Sequence, residues 1–167
     1  MVPLTLQQAL NFTADDLLAN REGRLSEMQE YRLRVRRQRA ALIGLALVLA
    51  GVFIATLFLF LAQRSSNSIL TLVGIGVTLC NAALTGVFAR HWMRLNADIR
   101  GGKVLMTEGV IERVVRPVSR RVYNYVVRIG EVEIFVSKDA FDAFQHQQPY
   151  TLYRAPYTGT LLSAEQQ

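Results

Sequence analysis

The sequence is poor in the side chains that carry most enzyme chemistry. It has one cysteine, Cys80, and two histidines among 167 residues. A single thiol excludes an intrachain disulfide, and there is no P-loop, zincin helix, nucleophile elbow or paired-cysteine motif. Neither His91 nor His146 has a partner in the sequence pattern that would orient it for catalysis. The sequence therefore predicts a protein that is not an enzyme, with no catalytic residue, metal site or cofactor.

Charge is absent from two long stretches. Residues 40–62 are 23 successive residues without a charged side chain, and residues 68–89 are a second uncharged run, richer in glycine. As a helix the first run rises about 34 Å, enough for a hydrocarbon core of about 30 Å. Backbone groups in hydrocarbon must be paired internally, so both runs should be transmembrane helices joined by the short loop 63–67.

Positive charge flanks these two runs. The net charge is +6, and Arg64 is the only charged residue between the two runs. By the positive-inside rule we expect two spans with both ends cytoplasmic and the loop outside, in a plasma membrane of bacterial type. Trp92 follows the second run as an interface anchor. The arginines predicted to set this topology and to bind anionic lipid phosphates are Arg32, Arg34, Arg36, Arg37, Arg39, Arg90 and Arg94.

Small and polar residues within the two runs predict how the helices pack. Helices in lipid associate through close approach and interhelical hydrogen bonds. Asn81, near the bilayer centre, needs a partner in its own hairpin, in another subunit or in a bound molecule. Neither run contains an acid or base, which argues against an ion relay. The predicted packing residues are Gly44, Gly51, Ala55, Gly74, Thr78, Asn81 and Thr85.

Residues 1–39 are predicted to be a cytoplasmic helical segment. Thr13 can cap one short helix, which Gly23 ends. Ser26 and Gln29 fit a capping box, and no helix breaker follows them. One continuous helix is therefore expected from about residue 26 to about residue 62.

Residues 104–167, after a linker at 90–103, alternate as β-strands do. Gly109 is a candidate bulge, residues 116–119 a turn, and Ser137 the cap of a short helix over 138–145. The order of strands and helix predicts a small five-stranded OB-like barrel, with an SH3-like barrel as the alternative. The fold class is thus a two-helix membrane hairpin with a cytoplasmic β-barrel. The predicted strands are 104–115, 122–129, 132–136, 150–154 and 160–164.

The layout of residues 40–164, two spans followed by a small β-barrel, resembles membrane proteins of the NfeD type. The arginine-rich helix before the first span departs from that layout. The resemblance implies a scaffold or a partner of other membrane proteins. The leading expectation is therefore a non-catalytic membrane scaffold or accessory subunit that binds another membrane protein or itself.

Two other functions follow from single features. A small oligomeric channel or transporter subunit could use Thr78 and Asn81 to line a polar path. A membrane-tethered nucleic-acid binder could stack bases on barrel tyrosines. Residues 101–167 hold eight basic and seven acidic residues, so a nucleic-acid partner is disfavoured.

Overall fold

The structure, a computed structural model, describes residues 5–65, 67–119 and 122–167. Two compact units make up the chain. The composite unit contains the described residues up to Tyr31 together with Asp98–Gln167, and the helical unit is Arg32–Ala97. In chain order the elements are α1 (Leu6–Leu10), α2 (Ala14–Arg21), α3 (Glu27–Ser65), α4 (Ser68–Gly101), β1 (Leu105–Ser119), β2 (Val122–Ile129), β3 (Val132–Val136), α5 (Lys138–Ala143), β4 (Pro149–Arg154) and β5 (Leu161–Gln166).

Side-chain hydrogen bonds fix where the helices begin. The Thr13 hydroxyl accepts from the Asp16 N–H at 3.2 Å, and the Asp16 carboxylate accepts from the Thr13 N–H at 3.0 Å. Ser26 and Gln29 make the same reciprocal pair before α3, which confirms the predicted capping box. Ser137 caps α5 as predicted. From its cap, α3 runs unbroken for 39 residues, as the predicted continuous helix requires.

The five strands form one antiparallel sheet in the order β3-β2-β1-β4-β5. The first part of β1, up to Val110, pairs with β4, and the part from Ile111 onward pairs with β2. Five strands with a helix between the third and fourth were predicted, and this order is confirmed. Among the described residues β3 does not pair with β5, so the sheet is open and the predicted barrel is not closed.

The predicted turn at 116–119 is wrong, because β1 continues to Ser119. Pro117 lies opposite Tyr123, and among the residues that the structure describes this part of β1 pairs with β2 alone. A strand with one neighbour is the position where sheets tolerate the missing N–H of proline. The register shifts only after Pro117, next to the β1–β2 connection.

The predicted bulge at Gly109 is also wrong. Gly109 pairs with Tyr150 in unbroken register. Its φ is +154°, and a Cβ there would lie 3.2 Å from Ile129 Cγ1. The glycine therefore lets β1 pass close to β2 just before it changes partner.

The hydrophobic core of the composite unit lies on one face of the sheet, under α5 and α1. The Phe144 and Tyr150 rings meet edge to face with centroids 5.3 Å apart. Leu6 and Leu10 of α1 pack against the same cluster, so the amino-terminal helix contributes to the core of the carboxy-terminal sheet. The buried members are Ile111, Val127, Ile129, Ile134, Phe141, Phe144, Tyr150, Leu152 and Ala164.

The helical unit is an antiparallel pair formed by residues 32–65 of α3 and 68–97 of α4. Both helices are long and apolar enough to cross a bilayer. The amide of Asn81 donates to the carbonyl oxygen of Val48 at 3.2 Å, directly beside Gly51. Gly74 lies against Leu59 at the connecting end. The pair is thus held by close approach at glycines and by the interhelical hydrogen bond of Asn81.

Replacing Gly51 with alanine should destabilise the helical unit. The new Cβ would lie 2.5 Å from Cγ of Asn81, so the amide must move away from Val48. We expect the free energy of unfolding to fall by about 1–3 kcal/mol. Titration of the purified protein with sodium dodecyl sulfate in mixed micelles measures this.

The matched control is Gly86→Ala in α4. No atom lies within 4 Å of a Cβ at Gly86, so that change should leave the unfolding free energy nearly unaltered. Equal losses in the two variants would show that Gly51 and Asn81 do not pack as described.

Candidate functional site

A buried hydrogen bond joins the two ends of the chain. The Asn20 amide on α2 donates to the hydroxyl of Ser163 on β5 at 2.6 Å. Both residues are almost fully buried. Removing one partner of a buried hydrogen bond leaves the other unsatisfied, at about 1–3 kcal/mol. This contact therefore ties the amino-terminal helices to the sheet.

An ion pair and a phenol lie beside that bond. The Arg21 guanidinium on α2 donates from Nε to Oε2 of Glu165 at 3.1 Å. The Tyr153 hydroxyl on β4 donates to Oε1 of the same carboxylate at 2.6 Å. Glu165 thus accepts from both sides and links α2, β4 and β5.

The pKa values of this cluster shift in consistent directions. The hydrogen bond from Arg21 is the main cause that lowers the pKa of Glu165 below its usual 4.5. Burial, followed by the hydrogen bond to Glu165, raises the pKa of Tyr153 to about 12. The hydrogen bond with Glu165 raises the pKa of Arg21. These shifts keep Glu165 and Arg21 charged and Tyr153 protonated at neutral pH, as the hydrogen bonds among the three residues require.

Backbone hydrogen bonds make a second connection between the amino-terminal and carboxy-terminal parts of the composite unit. The segments that follow α2 and α4 pair through Arg24 and Lys103 as an isolated antiparallel bridge. The Leu25 N–H donates to the Gly102 carbonyl oxygen, and the Val104 N–H donates to the Gly23 carbonyl oxygen, each at 2.9 Å. Chain segments before the first apolar helix and after the second one are therefore directly paired.

Asp98 anchors the β4–β5 connection. Its two carboxylate oxygens accept from the backbone N–H groups of Tyr157 at 2.8 Å and Thr158 at 2.9 Å. The side chain is fully buried. A buried carboxylate that receives two amide donors is a strong positional restraint, so the last turn of α4 holds this loop in place.

The far end of the β1–β2 hairpin, residues 115–119 and 122–124, lies outside the core, and we call it the arm. Every described residue of the arm is exposed. Val115 pairs with Tyr125, whose ring contacts Phe141 of α5, and Pro117 pairs with Tyr123. Val115, Pro117 and Tyr123 therefore continue the core face of the sheet beyond the residues that α5 covers. The arm is therefore an exposed apolar extension of the core face.

The predicted arginines lie on the two apolar helices, before the uncharged part of α3 and after that of α4. One of them bridges the helices: Nη1 of Arg37 donates to Oδ1 of Asn96 at 2.7 Å. Arg34, Arg36, Arg39, Arg90 and Arg94 are exposed, and Arg32 is half-buried. Trp92 is 41% exposed.

The predicted packing residues fall into two groups. Gly44, Gly51 and Gly74 lie opposite Phe88, Asn81 and Leu59, respectively, and Ala55 is buried. The hydroxyls of Thr78 and Thr85 donate instead to carbonyl oxygens of their own helix, those of Gly74 and Asn81, at 2.9 and 2.8 Å. The structure thus brings the glycines and Asn81 together between the helices, but uses the threonines within α4.

Polar contacts join β1 to α5 and the residues after it. Across residues 5–65, 67–119 and 122–167, no group of three or more histidine, cysteine, aspartate or glutamate side chains could hold a metal ion. His146 accepts the Arg113 N–H through Nδ1 at 3.1 Å. The Arg113 guanidinium lies 4.2 Å above the Phe141 ring and pairs with Asp142. These contacts orient β1 against α5.

The sequence patterns do not predict the roles of Asn20, Asp98, Ser163 and the Arg21–Glu165 pair. Asn20 and Ser163 are 143 residues apart, and no local pattern signals their meeting. One signal was available for Asp98, because it is the only acidic residue between Glu30 and Glu108. An isolated acid in an otherwise basic helix end indicates a specific partner.

No known protein family, curated protein or solved structure matches the chain. The function is therefore inferred from the contacts of its own residues.

The pKa shifts predict how stability depends on pH. The lowered pKa of Glu165 gives a contribution that is present above its unfolded value near 4.5 and is lost as pH falls through the folded value. The raised pKa of Tyr153 gives a stabilising contribution that is present below about pH 10 and is lost between about pH 10 and pH 12. Urea unfolding of the composite unit, followed by circular dichroism, should show falling stability at both extremes.

Glu165→Gln should flatten the acid limb of this profile. Glu131→Gln, which alters an exposed glutamate between β2 and β3, is the control and should retain the slope. If both variants keep the wild-type slope below pH 5, the Arg21–Glu165 pair does not link the ends of the chain.

Proposed function

We propose that the protein is a non-catalytic integral membrane scaffold or accessory subunit. The helical unit anchors it as a two-pass hairpin, and the composite unit binds another membrane protein or a second copy on the cytoplasmic side. The observation that carries the proposal is the exposed apolar arm, because a contiguous apolar patch on a protein surface is typical of a binding site.

The composite unit supports the hairpin topology. Its core uses Leu6 and Leu10 from before α3 together with strands from after α4. Segments that share one core must lie on the same side of a membrane, so the helices between them must cross it an even number of times. Two helices are long and apolar enough to do so. The basic flanks then favour the cytoplasmic side for both ends.

Cysteine labelling tests this topology in sealed vesicles of known orientation. With Cys80→Ser as background, Asp15→Cys, Ser65→Cys and Gln166→Cys place single thiols at exposed positions. We expect an impermeant maleimide to reach Asp15→Cys and Gln166→Cys from the same side and Ser65→Cys from the opposite side. Labelling of all three from one side would overturn the two-pass hairpin.

We further propose that the sheet belongs to the OB-like class. The order β3-β2-β1-β4-β5 is that of a five-stranded barrel opened between β3 and β5, with a helix between β3 and β4. OB folds are partly open barrels, and a long first strand that pairs with both β4 and β2 fits that design.

The arm supports a protein partner more than a nucleic acid. Val115 and Tyr123 are 46% and 50% exposed and lie on one face. Tyr150 and Tyr153, two of the five tyrosines that could stack bases, are buried in the unit. A channel is supported less by the helical unit, because Asn81 is bound to Val48 and the hydroxyl of Thr78 to its own helix.

A matched pair of tyrosine variants tests the scaffold. Tyr123 on the arm and Tyr157 in the β4–β5 connection are 50% and 58% exposed. Tyr123→Ser should reduce the amount of crosslinked complex by about tenfold, since a truncated aromatic anchor costs about 1–2 kcal/mol or more. The measurement is native mass in mild detergent together with quantitative crosslinking of intact membranes.

Tyr157→Ser should leave the complex at the wild-type level. A wild-type protein that is monomeric and has no reproducible crosslinked partner would refute the scaffold. Equal losses in the two variants would refute the arm as the binding surface.

A further inference from the structure

A groove lies between the two apolar helices next to the arginine-rich end. Its volume is about 290 Å³, roughly ten times the share of a water molecule in the liquid. Small side chains of α3 form one wall, and Phe88 and Trp92 of α4 stand on the other. The full lining is Ala40, Ala41, Gly44, Leu45, Val48, Thr85, Phe88, Ala89 and Trp92.

The length of the groove matches one leaflet of a bilayer. From Ala40 to Val48 the helix rises about 12 Å, and Arg37 lies about 4–5 Å further along the axis. Half of a hydrocarbon core is about 15 Å thick. The groove therefore spans the depth of an acyl chain, starting at the level where head groups begin.

A cation stands at the head-group end of the groove. Arg37 is three to four residues before Ala40 and Ala41, so it lies on the same face of α3 one turn earlier. Its Nη1 is held by Asn96, which is four residues beyond Trp92 on α4. A guanidinium has five N–H donors, of which this amide contact uses one. Arg37 is thus positioned by both helices, with further donors suited to a phosphate.

The shape of the groove favours a lipid over a helix of a second copy. An α-helix with side chains is about 10–12 Å wide and packs along its whole length. Beyond the groove, α3 presents Phe53, Leu57 and Phe60, which are large and exposed. A narrow slot limited to one leaflet, apolar along its walls and cationic at its end, is complementary to one acyl chain below one phosphate.

We propose that this groove is a binding site for one anionic phospholipid, with an acyl chain along the groove beside Phe88 and Trp92 and the phosphate on Arg37. The inference rests on the proposed membrane hairpin. It does not require a protein partner. The result of the cysteine labelling, which tests the hairpin, does not depend on lipid binding.

Native mass spectrometry of the full-length protein in mild detergent tests the site. The probes are phosphatidylglycerol and phosphatidylcholine with identical acyl chains, added separately and in competition. We expect one phosphatidylglycerol molecule per chain to remain bound under conditions that remove phosphatidylcholine. Ala41→Phe fills the groove from an exposed position and should abolish that retention.

Two matched controls separate a built site from the general attraction of a basic surface. Ala46→Phe makes the same change at an exposed position of α3 outside the groove lining, and it should retain the lipid. Arg37→Gln should weaken phosphatidylglycerol binding about fivefold, the factor for one arginine at an anionic surface. Arg39→Gln removes the same charge from a different face of the helix and should leave binding unchanged.

Three results would overturn the proposal. Equal retention of phosphatidylglycerol and phosphatidylcholine would show that no head group is recognised. Equal losses in Arg37→Gln and Arg39→Gln would show only diffuse electrostatic attraction. Conversion of a dimer to a monomer by Ala41→Phe, with lipid retention unchanged, would assign the groove to a second copy of the chain.

Discussion

The composite unit can form only if the two ends of the chain meet, and the rest of the structure depends on that meeting. Asn20 binds Ser163, Arg21 binds Glu165, and Leu6 and Leu10 complete a core built mainly from residues after 110. The chain between these partners consists of two stiff helices joined by a short connection. Because the two helices fold back on each other, their hairpin brings the ends of this long loop together. The entropic cost of closing the loop is therefore not that of a flexible chain of the same length.

The hairpin in turn depends on satisfying its few polar groups internally. Asn81 donates to Val48 across the pair, and the hydroxyls of Thr78 and Thr85 donate within α4. In a hydrocarbon environment a polar group without a partner is strongly unfavourable, so these bonds make the pair self-sufficient. Glycines at the points of closest approach allow the amide of Asn81 to reach a backbone carbonyl at all.

Local patterns in the sequence were enough to predict the elements. Reciprocal capping by Ser26 and Gln29, the uncharged runs and the alternation of strand residues depend on neighbours within a few positions, and the elements they predicted are present. The association of α1 and α2 with the sheet depends on pairs far apart, such as Asn20 with Ser163, and neither residue carries a mark of its partner. The turn predicted around Pro117 was wrong for a related reason. Only the sheet order shows that β1 has a single neighbouring strand there.

The β1–β2 hairpin of the open sheet is longer than the core requires. Covering the core requires β1 only as far as about Arg113, yet the strand continues to Ser119 and β2 is paired with it nearly to the end. An isolated two-stranded ribbon is marginally stable in water, and exposed apolar strands invite aggregation. Val115 and Tyr123 lie on the core face of this ribbon, where a partner that covered them would extend the core rather than begin a separate contact. Neither the packing of the sheet nor the stability of the two-stranded ribbon requires the length of the arm, whereas the proposed binding of a partner would account for it.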